Sequence, residues 1–72
     1  MPKWRDFKRF LDRNGWIMYR SSDHFYYKKD LGDGVILYTK VSRGSGEIPA
    51  KIWKKILTKD LGITQEEFNK LK

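Results

Sequence analysis

The 72-residue chain has no cysteine and a single histidine, His24. Disulfides are excluded, and so are zinc clusters, which draw on several Cys or His ligands. Long apolar runs are also missing, the longest being short pieces such as Trp16-Ile17-Met18 and Val35-Ile36-Leu37. Nothing approaches a membrane span, and the start Met1-Pro2-Lys3-Trp4-Arg5 lacks the apolar stretch of a signal peptide. Together these absences predict a cytoplasmic protein with no membrane association; a monomer is the default expectation for the free protein. No Gly-rich loop is followed by Lys-Ser or Lys-Thr, and Asp30 and Asp33 fall short of the twelve-residue calcium-ligand set. No metal and no cofactor are therefore expected.

What is present is aromatic and basic. Three Trp, four Tyr and four Phe must supply the core together with Ile, Leu and Val. The length allows one core and one domain, residues 1–72. A domain of about 60 residues buries only about 60% of its unfolded surface, so a partner should add to its stability. Lys and Arg number 16 against 9 acidic residues, a formal net charge of +7. In so small a domain that excess attracts polyanions, of which nucleic acid is the commonest in a cytoplasm.

Apolar residues Trp4, Phe7, and Phe10 or Leu11 recur at helical spacing and predict a helix over 3–14, capped by Gly15. Residues 16–20 and 24–29 have strand composition, separated by the turn cluster Ser21-Ser22-Asp23. Residues 30–34 form a Gly-rich hairpin connection into a third strand over 35–41. A loop over 42–47 leads to Ile48-Pro49, which opens a second long helix whose stripe is Ile52, Trp53, Ile56 and Leu57. Gly62 ends it, and Thr64-Gln65-Glu66-Glu67 is a capping box for a short helix over 65–71. The expected class is α+β: an α-β-β-β-α order with a three-stranded antiparallel meander, two long helices on one face and a short C-terminal helix. Double-stranded-RNA-binding domains share that order.

Candidates for chemistry are few. Imidazole titrates near pH 6.5, which suits proton transfer to or from the 2′-hydroxyl or the leaving 5′-oxygen in metal-free RNA cleavage. His24 falls at the start of the second strand, and alternation places Tyr26 and Lys28 on its face and Phe25 and Tyr27 on the other. Lys28 is a candidate to stabilise the charge on the reacting phosphate, and Tyr26 to stack on a base. Lys51, Lys54 and Lys55 on the second helix, with Arg20, Lys28, Lys29, Lys40 and Arg43, form a candidate phosphate-tracking set.

The run Phe7-Lys8-Arg9-Phe10-Leu11-Asp12-Arg13-Asn14-Gly15-Trp16, then Arg20 and His24, resembles the HicA toxins, also called the YcfA-like family. Glu47-Ile48-Pro49 and Leu61-Gly62-Ile63-Thr64-Gln65-Glu66-Glu67-Phe68 resemble that family's ending. The resemblance covers nearly the whole chain. It implies a dsRBD-like fold, a small mRNA interferase that cleaves RNA with one essential His, and a HicB-like antitoxin protein as partner. His24 is the matching position. Two departures stand out: the family's Gly-Ser before the His is Ser22-Asp23 here, after a turn one residue shorter, and Lys40 to Ser42 replace a second His common in the third-strand region. Losing that Gly removes backbone freedom for a close approach to phosphate, and Asp23 adds a negative charge able to orient His24. A non-catalytic dsRBD-like module binding RNA through Lys51, Lys54 and Lys55 is the alternative.

Overall fold

Burial along the first helix follows the spacing of its apolar residues. In the computed structural model, which describes residues 2–44 and 46–72, helix α1 (Trp4–Arg13) turns Phe7, Phe10 and Leu11 inward. Both Phe10 and Leu11 are buried, so the inner face is wider than a single stripe. Asn14 then donates from its side chain to the carbonyls of Phe10 (2.8 Å) and Leu71 (3.1 Å), fastening the end of α1 to the end of the chain. Gly15, at φ 82°, takes the left-handed conformation that lets the chain reverse.

Strands β1 (Ile17–Ser21), β2 (His24–Gly32) and β3 (Val35–Ser42) form an antiparallel meander in that order. Strand β1 begins one residue later than the composition predicts, because Trp16 is buried in the core ahead of the strand. It also carries a bulge: Met18 lies opposite Tyr27 but Arg20 lies opposite Tyr26, so Tyr19 is the extra residue. Strand β2 extends three residues beyond its expected end through a second irregularity between Asp30 and Gly32, where the Asp30 carboxylate accepts from the Gly32 amide at 2.8 Å. The connection to β3 is therefore only Asp33-Gly34. Both have positive φ, 53° and 78°, as a tight hairpin of this twist requires.

Alternation divides β2 and β3 between the two faces of the sheet. Phe25, Tyr27, Leu37, Thr39 and Val41 face the helices, and Tyr27 and Val41 are fully buried. Their polar atoms are paired: the Tyr27 hydroxyl donates to Asp12 at 2.7 Å, and Thr39 donates to Asp60 at 2.9 Å. Burial, and then Asp12, pushes the Tyr27 phenol pKa up. The opposite face of the sheet carries His24, Tyr26, Lys28, Ile36, Tyr38 and Lys40 and has no helix over it.

The second helix changes pitch. An α-helical stretch, α2 (Ala50–Lys55), runs directly into a π-helical segment, Ile56–Leu61. Trp53 from α2 and Ile56, Leu57 and Leu61 from the widened segment reach the core, while Ile52 stays outside, 45% exposed, so Ile52 does not belong to the buried stripe the sequence suggests. Gly62, at φ 68°, closes the segment. Helix α3 (Gln65–Leu71) starts with the expected capping box: Thr64 accepts from the Glu67 amide at 3.1 Å, and Glu67 accepts from the Thr64 amide at 3.2 Å. Phe68 enters the core edge-on to Trp53, which also stands edge-on to Phe7, and the Trp53 indole donates to Gln65 at 2.6 Å.

Candidate active site

The turn from β1 to β2 is organised by one carboxylate. Asp23 Oδ1 accepts three hydrogen bonds at 3.0 Å, from the Ser22 hydroxyl, the His24 backbone amide and the Tyr26 hydroxyl. These donors hold its carboxyl at a pKa of about 2, below the ordinary 3.8, with Ser22 the largest influence, then Tyr26 and His24. In return, Asp23 pushes the Tyr26 phenol pKa up. Tyr26 is thus fixed by its hydroxyl and presents its ring, and that hydroxyl is a poor proton donor.

Asp23 also faces the histidine. Its Oδ2 lies 3.2 Å from His24 Nδ1. That nitrogen is shut off from solvent and makes no hydrogen bond, although the carboxylate oxygen lies beside it. The imidazole as a whole is half-buried, with its ring centroid 6.1 Å from that of Tyr26. With Nδ1 enclosed against a carboxylate, Nε2 is the ring nitrogen left uncovered. Among the described residues, no three His, Asp or Glu side chains converge as a metal-binding group.

The fold splits the basic residues that the sequence grouped together. Arg20, Lys28 and Lys40 share the open sheet face with His24: the Arg20 guanidinium lies 5.5 Å from the Tyr26 ring centre, the Lys28 amine lies 5.7 Å from that of Tyr19, and Lys40 pairs across from Tyr26. Lys28, however, is four residues along β2 from His24, about 13 Å at the rise of a strand. Its amine is held over Tyr19, so Arg20 and Lys40 are the better-placed cations beside His24 and Tyr26. Lys29 points to the other face and packs by Gly15. Arg43 donates to the Ser21 hydroxyl at 2.9 Å and lies 4.6 Å from the Phe25 ring centre, bracing the end of the sheet from the helix side. Lys51, Lys54 and Lys55 are exposed on α2, in the layer beyond the sheet from His24.

Two residues that sequence reasoning passed over complete the open face. Tyr19 lies 6.3 Å from Tyr26 and 6.1 Å from Tyr38 between ring centroids, so His24, Tyr26, Tyr19 and Tyr38 form an unbroken row of rings across all three strands. Alternation within β3 puts Tyr38 beside Lys40, a signal present in the sequence, but only the pairing of Tyr38 with Lys28 places it near Tyr19. Tyr19 gave no such signal, because its position depends on the bulge. No family model, no curated protein and no solved structure matches this chain.

Proposed function

We propose that this protein is a HicA-like mRNA interferase, a metal-independent endoribonuclease of a toxin-antitoxin pair, with His24 as its proton-transfer group. The observation that carries the proposal is the setting of His24. It stands on an uncovered sheet face with Nδ1 against the Asp23 carboxylate and Nε2 free, beside Tyr26, Arg20 and Lys40.

A carboxylate at Nδ1 favours the tautomer with its proton there, so Nε2 carries the lone pair. In this role His24 accepts the proton of a ribose 2′-hydroxyl as the 2′-oxygen attacks the adjacent phosphorus. The P–O5′ bond breaks, leaving a 2′,3′-cyclic phosphate and a 5′-hydroxyl end whose proton comes from water. Arg20 and Lys40 offset the charge that builds on the phosphoryl oxygens. With its raised pKa, Tyr26 contributes its ring rather than a proton. A HicB-like antitoxin is the protein partner proposed for the same basic face.

The test is incubation of the pure protein with end-labelled mRNA in EDTA. Expected are cleavage by the wild type, fragments ending in cyclic phosphate, and loss of cleavage in His24→Ala. RNA binding by a wild type that never cuts would instead make the chain a non-catalytic RNA-binding module.

A further inference from the structure

We infer that the open face of the sheet is a stacking platform for single-stranded RNA, with Tyr26, Tyr19 and Tyr38 each receiving an unpaired base and Arg20, Lys28 and Lys40 holding the phosphates between them. The inference deepens the ribonuclease proposal by assigning the form of the substrate and the surface that reads it.

Three observations carry it. First, the rings are reachable: Tyr19 is 48% and Tyr38 56% exposed, with Tyr26 half-buried beside them, although aromatic residues dominate the core of so small a domain. Second, they are organised, with successive ring centroids 6.1 to 6.3 Å apart from His24 to Tyr38. The planes are inclined by 53°, 46° and 82° in that order, so the row suits bases splayed onto separate rings rather than one continuous stack. Third, cations are interleaved with the rings, Arg20 over Tyr26 and Lys28 over Tyr19, while Lys40 lies opposite Tyr26. Aromatic rings interleaved with cations on a sheet are what unpaired strands require, since every base offers a π-face and every linkage a negative charge. A duplex keeps its bases inside and has no use for exposed rings. The acids on this face are accounted for: Asp23 is engaged by Ser22, His24 and Tyr26, and Asp30 caps the Gly32 amide. The charge pattern therefore favours a polyanion over an apolar partner or a second copy of this chain.

The test uses a fluorescein-labelled single-stranded RNA of about ten nucleotides, titrated by anisotropy into the full chain carrying His24→Ala so that nothing is cut. Tyr19→Ala and Tyr38→Ala should each weaken binding at least about fivefold, the lower end of what one stacked base supplies. Tyr19→Phe and Tyr38→Phe should retain it, and circular dichroism should show all four variants folded, since neither side chain belongs to the core. Lys54→Ala with Lys55→Ala should change affinity by less than either tyrosine loss, and an RNA duplex of the same sequence should compete poorly. The inference is overturned if the Ala variants bind as well as their parent, if the duplex binds equally and depends on Lys54 and Lys55, or if sedimentation shows the face closed in a dimer that RNA does not dissociate. Binding that follows the tyrosines in a protein whose wild type does not cleave leaves the inference standing and removes the ribonuclease proposal. Cleavage by wild type with tyrosine-independent binding does the reverse.

Discussion

At the scale of the residue, Asp23 is the centre of the site. Its charge is satisfied by three donors, from Ser22, His24 and Tyr26. Its pKa is lower in the folded chain than its ordinary value. The stability it adds is therefore present in full above about pH 4 and is lost as pH falls through about 2. The urea midpoint of wild type should exceed that of Asp23→Asn by a constant margin from pH 7 to about pH 4, and the margin should shrink as pH 2 is approached. A margin independent of pH would mean that the carboxylate's charge is not what the turn uses. Tyr27, on the other face, has a simpler part. Tyr27→Phe keeps the buried ring and loses the bond to Asp12, so chemical denaturation should show a loss of about 1 kcal/mol.

At the scale of the element, the bulge in β1 matters most for the proposed site. An unbulged strand would send Tyr19 and Arg20 to opposite faces; the extra residue lets both reach the open face, one ring against Tyr26 and Tyr38, one guanidinium over Tyr26. Deleting Tyr19 should therefore restore a regular pairing that keeps Arg20 opposite Tyr26, and should weaken RNA binding about as much as Tyr19→Ala, as a gel shift on the same oligonucleotide would show. The last helix makes a different kind of prediction. Its capping box is exposed and local, so Thr64→Ala should cost about 1 kcal/mol in thermal or urea unfolding without touching RNA affinity.

At the scale of the whole molecule, the core and the proposed binding face occupy opposite sides of one sheet. The core gathers on the helix side around Trp53, Phe7 and Phe68, and truncating Phe68 to Ala should remove about 3–5 kcal/mol. A domain this small has little more than that to lose, so its unfolding midpoint should collapse. Charge has the complementary layout. If Arg20, Lys28 and Lys40 are the cations a single strand engages, the slope of log K against log salt should be about −2. A much steeper slope would show that Lys51, Lys54 and Lys55 join in, which the geometry forbids for one short strand because they lie beyond the sheet.

Local signals were enough for much of this protein. The order of elements, the capping box at Thr64, the caps at Gly15 and Gly62, and the placing of His24, Tyr26 and Lys28 on one face all depend on neighbours within a few residues, through helical periodicity, strand alternation and turn chemistry. Without any cysteine, the sequence also determined that an aromatic core had to hold the chain together. Tertiary structure alone decided the rest. Strand register and the bulge brought Tyr19 and Tyr38 to Tyr26, the packing of the second helix left Ile52 outside the core, and the helix layer set Lys51, Lys54 and Lys55 apart from Arg20 and Lys40. Those are pairings between residues distant in the chain, and no periodicity within one segment encodes which residue of another will lie across from it.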